Sequence, residues 1–254
     1  MSRHRFFATA SLPDAAGAIV LPLSDADVHH AVSVLRVRAG EELDIAEPGG
    51  RVWRVRVVSA ESGVVRAERI GEVAAAREPC VTLVFGMSKG AKNDDIVQGA
   101  VEVGVAELWP VLTARSVVKL DADKRLARGE RLRRVATAAA KQSKRGSVPA
   151  VADPCDLCAA VPLLVDCDLV LVAWEEADRG GIRDAIATAA LSADARVAVV
   201  VGPEGGLTAE EVAGLVRIGA VACTLGATIL RAETAGVLAT ALVIHELGGL
   251  GNAS

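Results

Sequence analysis

The hydrophobic and polar positions of this chain follow two different rhythms. Up to about residue 72 the apolar positions recur every second residue in short runs. In RVWRVRVV, Trp53, Val55 and Val57 alternate with Arg54 and Arg56, as in a strand with one face in water. SGVVRAERIGEV reads as its neighbour. SDADVHHAVSVLRVRAGEE predicts a helix capped by Ser24, with Asp27 in its first turn, ending near Gly40. These elements predict a small β-rich barrel or sandwich, joined to the rest by VAAAREP.

From Cys80 onward, continuous β-branched runs alternate with helical patterns. CVTLVFG, AELWPV, DLVLVAW, ARVAVVVG and VACTLG read as buried strands. Helices are expected over 91–104, around 129–144, over 182–191, from Thr208, and from about Glu233 to Leu247. Such alternation predicts a parallel α/β sheet. The expected domains are therefore 1–72 and 73–254.

Composition narrows the class. The 254 residues are 52% hydrophobic, enough for two cores. The longest apolar stretch, LLVDCDLVLVAW, is interrupted by Asp166 and Asp168, well short of the ~18 residues of a membrane span. The N-terminus lacks a secretory apolar region, which implies a cytoplasmic protein. Five cysteines without framework spacing fit reduced thiols. The lone CxxC at Cys155 and Cys158 has no second pair, and adjacent His29 and His30 point apart on a helix, so no metal is expected. The net charge of −4 hides an asymmetry. Residues 115–145 carry eleven Lys or Arg against three acids, a net of +8 that leaves −12 elsewhere. Such a segment is either a solvated helix face or a footprint for a phosphate backbone.

Two glycine-bearing turns carry the candidate chemistry. VVVGPEGGLTAEEV (199–212) runs from a strand through a glycine turn into a helix, with Thr208 and Glu211 spaced as a capping box. It has neither the GxGxxG spacing of a dinucleotide fold nor a P-loop ending. Glu204 within the turn disfavours phosphate and suits a nucleoside ligand without phosphates, to which the glycines let the backbone come close. In LGATILRAETAG (225–236), Gly226 ends a strand, and apolar Ile229 and Leu230 precede Arg231, Glu233 and Thr234. Either Ile229 and Leu230 pack in the core while Glu233 or Thr234 caps the last helix, or this turn faces GPEGG across a pocket at the C-terminal ends of neighbouring strands.

Together these two stretches resemble the paired signature of the RsmE family, the 16S ribosomal RNA uracil-N3 methyltransferases of the SPOUT superfamily. RFF (5–7), HHAVSVLRVRAGEEL (29–43), KGAKNDDIVQGAVEVGVAELWPVLTARS (89–116) and AAKQSKRGSVP (139–149) are similar to further blocks of that family, in family order. The resemblance implies an α/β fold class with an N-terminal PUA-like RNA-binding β-barrel, a C-terminal SPOUT domain with a deep trefoil knot, and a homodimer. It implies S-adenosylmethionine as cofactor, held by Gly202, Pro203, Glu204, Gly205, Gly206, Leu225, Gly226, Ile229 and Leu230, and 16S rRNA in the 30S subunit as partner. Two positions depart from the family pattern: Gly236, where proline is frequent, and Lys141, where an acid is common. Gly236 is expected to loosen the start of the last helix.

N3 methylation needs the N3 proton removed and the anion supported, for which Arg231 and Glu233 are the candidate catalytic residues. N3 lies on the pairing edge, so the uridine must be unpaired or turned out. RNA contacts are expected from Arg3, Arg5, Arg36, Arg54 and Arg56 in the first domain. In the second they are expected from Lys89, Lys92, Arg115, Gln142, Lys144 and Arg145. With no Tyr, three Phe and three Trp, a broad stacking platform is excluded and phosphate contacts should dominate. Two other readings remain open: another SPOUT enzyme acting on transfer RNA or a ribose hydroxyl, and a non-catalytic RNA-binding assembly factor.

Overall fold

A computed structural model of the chain describes residues 4–15, 17–61, 63–73, 78–177, 180–192 and 194–251. Arg3 lies outside the described residues. The chain divides into two compact units, Met1–Ala76 with Ala140–Val148, and Arg77–Ala139 with Pro149–Ser254.

The first unit is a five-stranded sheet. Its strands are β1 (Arg5–Phe7), β2 (Ile19–Val20), β3 (Glu42–Ala46), β4 (Val52–Glu61) and β5 (Val64–Val73), in the order β1-β3-β4-β5-β2. Val55 and Val57 of β4 are buried with Phe6, Leu21, Leu43, Ile45, Val65 and Ala67, while Trp53 packs at the edge of this core. An isolated antiparallel bridge joins Ala8 to Leu23, so the chain following β1 meets the chain following β2. The helix α1 (Asp25–His29) is capped as its sequence requires, Ser24 Oγ accepting from Asp27 N at 3.2 Å. It runs into a π-helical turn at His30–Val34 and stops there, short of Gly40. Arg36 takes a left-handed φ of 54°, which a helix cannot continue through.

The second unit is a parallel sheet. Its strands are β6 (Cys80–Gly86), β7 (Glu107–Leu112), β8 (Ala150–Val151), β9 (Cys155–Asp156), β10 (Leu169–Ala173), β11 (Arg196–Val201) and β12 (Val221–Cys223). The order is β12-β10-β11-β6-β7-β8, with β9 beside β7. Val81, Leu83, Val84, Leu171, Val172 and Val197–Val200 are buried, as a sheet covered on both faces requires. The helices are α2 (Lys92–Val103), α3 (Ala122–Gln142), the short α4 (Leu157–Ala160), α5 (Ile182–Ala189), α6 (Ala209–Arg217) and α7 (Ala232–Glu246). No helix among the described residues is long and apolar enough to cross a membrane.

The structure corrects the start of the basic helix. α3 begins at Ala122, where Asp121 Oδ1 accepts from Lys124 N at 2.9 Å, and runs through Gly129. A Cβ on Gly129 would stand 2.1 Å from Asp153 Oδ1, the end of a half-exposed side chain that is free to turn away. Gly236 is a packing position. It is buried in α7 with Ile96 of α2 only 3.3 Å from where its Cβ would be, and across the same contact a Cβ on Gly99 would meet Val237 at 2.6 Å. The two glycines let α2 and α7 cross closely, and α7 stays regular through Gly236. Cys155 is half-buried and Cys158 exposed, all five cysteines are free thiols, and no cluster of three or more metal-ligating side chains occurs among the described residues.

Candidate active site

Three parallel strands end at one level. Ala173 of β10 is in register with both Val201 of β11 and Cys223 of β12, so the turns that follow emerge side by side. They enclose a cleft of about 430 Å³, within the usual range of small-molecule sites. Its walls are Trp174 and Glu175 after β10, Gly202–Glu204, Gly206 and Leu207 after β11, and Thr224–Ala232 after β12.

Close backbone approach shapes the turn after β11. A Cβ on Gly202 would stand 2.8 Å from Gly206 C and 2.9 Å from Leu207 N, and neither backbone atom can yield. Gly206 has a φ of +70°, and a Cβ on it would meet Glu175 Oε1 at 3.0 Å. The turn then enters α6 through a complete capping box: Thr208 Oγ1 accepts from Glu211 N at 3.2 Å, and Glu211 Oε2 from Thr208 N at 2.9 Å. Glu211 also accepts from Ala114 N through Oε1 at 2.7 Å, which ties α6 to the segment after β7.

Of the nine residues expected to hold a cofactor, eight line this cleft. Gly205 does not. It turns toward Arg115, whose Nη1 donates to Gly205 O at 2.9 Å. Arg115, expected on an RNA surface, thus tethers the glycine turn. Lys92, expected there too, lines the cleft and bonds Glu204 Oε1 through Nζ at 3.0 Å. Burial alone would push the Glu204 carboxyl up, but the Ser88 hydroxyl and the Lys92 ammonium hold it below the usual range. Ser88 Oγ has no hydrogen-bond partner among the described residues, so Lys92 is the bond that the geometry supports. With Lys92 this close, the charge of Glu204 is largely compensated, and it excludes a phosphate less firmly than the bare sequence suggests.

Of the two candidate catalytic residues, Arg231 lines the cleft and Glu233 does not. Arg231 is the N-cap of α7 and makes no side-chain cap, so neither Glu233 nor Thr234 takes that role. Glu233 is half-buried in the first turn, with Oε2 lacking a hydrogen-bond partner among the described residues. Ile229 is 92% exposed at the mouth, which removes it from the core. Trp174 and Glu175 went unnoticed in the sequence, because only the order of the sheet puts β10 between β11 and β12.

The expected RNA-contacting residues are scattered in state. Arg5 bonds Asp44 at 3.5 Å and the Lys144 carbonyl, and Arg54 and Arg56 pair with Asp44 and Glu42 at 3.2 and 3.4 Å. Arg145 is buried, at 6% exposure, whereas Gln142 and Lys144 are exposed. Arg36 and Lys89 are exposed and make no ion pair among the described residues. In the basic segment, Lys124, Arg125, Arg131, Arg133 and Lys141 pair with Asp121, Asp156, Asp94, Asp153 and Asp27 respectively, so much of its charge is engaged within the protein.

Comparison with known proteins follows this geometry. Residues 76–244 match the family described as an RNA methyltransferase domain, and residues 23–66 the RNA methyltransferase PUA domain. Ribosomal RNA small subunit methyltransferase E of Bacillus subtilis is 32% identical over 96% of this chain and 96% of its own. The protein of the same name from Mycobacterium bovis is 35% identical over 93% of this chain and 90% of its own. The Neisseria gonorrhoeae protein of that name, crystallised with S-adenosyl methionine, superposes with a TM-score of 0.78 at 27% identity, covering 95% of this chain and 96% of that one. Both structural units find their counterparts in these relatives, and the chain belongs to the family of ribosomal RNA small subunit methyltransferase E.

Proposed function

We propose that the chain transfers a methyl group from S-adenosylmethionine to N3 of a uridine in 16S rRNA of the small ribosomal subunit. The observation that carries this reading is the cleft itself, assembled from the turns after three parallel strands at the place where α/β sheets hold ligands. The residues fit a nucleoside ligand: Gly202 lets the turn after β11 close tightly on itself, Gly206 leaves Glu175 uncrowded beside it, and the cleft's polar groups include both carboxylates and cations. Gly202, Pro203, Glu204, Gly206, Leu225, Gly226, Ile229 and Leu230 would hold the cofactor, with Gly205 behind them fixed by Arg115. When bound, S-adenosylmethionine supplies a methyl group on a positively charged sulfur.

The chain's own task is to position the base and support the charge that N3 deprotonation leaves. Arg231, exposed at the rim, suits an oxyanion of the uracil. Glu233, in the first turn of α7, orients Arg231 or takes the proton; its Oε2, without a hydrogen-bond partner among the described residues, leaves an acceptor for either role. RNA contacts on this reading come first from Arg36 and Lys89, with Gln142 and Lys144 alongside.

The same reading assigns the first unit as a PUA-like RNA-binding barrel, supported by the Ala8–Leu23 bridge, and takes the domain boundary near residue 72, a few residues before the compact units divide at Ala76. It makes the turns after β11 and β12 part of a deep trefoil knot, and the protein a cytoplasmic homodimer. The deciding experiment is in vitro methylation of small subunits that lack the modification, with mass-spectrometric location of the new methyl group. N3-methyluridine is expected. Methylation of transfer RNA or of a ribose hydroxyl instead, or cofactor binding without turnover, would replace this reading by another.

A further inference from the structure

We propose that Glu175 is the residue by which the cleft tells the charged methyl donor from its uncharged product. This inference rests on the reading of the cleft as the S-adenosylmethionine site. Glu175 leaves the end of β10, the strand between β11 and β12, so it stands between the two glycine turns. Its backbone is placed firmly, because Trp174 N donates to Cys223 O at 3.0 Å and carries the ladder one residue past the strand.

The carboxylate is kept open. Lys92 is taken by Glu204, and among the described residues no cation lies within ion-pair distance of Glu175. A Cβ built on Gly206 would come within 3.0 Å of Glu175 Oε1, and the φ of +70° disfavours any such side chain. Glu175 is exposed at the mouth of the cleft, and its carboxylate lines the cleft with no compensating cation among the described residues. A cation held close beside it is attracted, and a neutral group gains nothing comparable.

Methyl transfer changes that balance. The sulfur of S-adenosylmethionine is a sulfonium. When its C–S bond breaks, the bonding pair stays on sulfur, which becomes the neutral thioether of S-adenosylhomocysteine. The ammonium, the carboxylate and the adenosine are the same in both molecules. A carboxylate that sees the sulfonium thus favours the donor over the product and hastens exchange after each turnover.

Calorimetric titration of S-adenosylmethionine and S-adenosylhomocysteine into the wild-type protein, Glu175→Gln and Glu175→Asp tests this, with thermal unfolding confirming the fold of each. Glu175→Gln is expected to weaken the donor about tenfold and leave the product within about twofold. Glu175→Asp, which keeps the charge, should retain part of the preference. Equal weakening of both ligands would assign the carboxylate to a group they share and overturn the proposal, as would no change in either. Wild-type protein that bound neither compound would instead overturn the function proposed for the cleft.

Discussion

Gly202, Glu204 and Arg231 were legible in the sequence because their chemistry is local: a glycine beside a carboxylate in a turn, a cation before a helix. Lys92 was not, because its meaning depends on Glu204, 112 residues away. The ion pair has a pH dependence with a definite sign. Lys92 lowers the Glu204 carboxyl below its ordinary 4.5 against the opposing effect of burial, so the pair stabilises the fold above that value and is lost as pH falls through the lowered one. Comparing wild type with Lys92→Met by thermal unfolding should show a gap at neutral pH that closes on acidification, whereas a gap independent of pH would detach it from the carboxylate. A second expectation concerns the thiols. Burial pushes Cys223 up to about 11, while Cys158 lies exposed in α4. Iodoacetamide at pH 8, followed by peptide mass spectrometry, should label Cys158 first and Cys223 last.

Elements were predicted best where caps and core agree. The Thr208–Glu211 box marked the start of α6 before any coordinates, and both of its hydrogen bonds form. Thr208→Ala should cost about 1 kcal/mol, read as a lower denaturant midpoint at unchanged m-value. α3 shows the limit of such reading. Gly129 has the look of a helix boundary when only neighbours in sequence are considered, yet the backbone passes through it within a helix of 21 residues. Gly236 misleads for a different reason, since its lack of a side chain serves the crossing with α2. There a weak helix former sits at a contact outside its own helix, and no local pattern encodes that contact.

At the scale of the whole molecule, alternation of strands and helices announced a parallel sheet, but not its order, and the order is what places Glu175 beside the two glycine turns. The charge map was also only half legible. The excess of cations between residues 115 and 145 is real, but several are paired internally, so few remain to displace counterions from RNA. Affinity for small-subunit RNA should still fall as salt rises, and replacing Lys89 by Gln should make that fall shallower by about one in the log–log slope. Filter binding across a salt series measures both. A last consequence comes from the Ala140–Val148 segment that completes the first unit. Asp27 takes Lys141, and Arg5 takes the Lys144 carbonyl, from a stretch made long after the part of the unit they belong to. During synthesis the opening third of the chain must therefore wait, its buried Asp27 lacking a counter-ion, until roughly seventy further residues have left the ribosome. A peptide ending at residue 76 should unfold more readily than the same peptide supplied with a synthetic 140–148 peptide, and equal melting would show that the amino-terminal unit matures without this late addition.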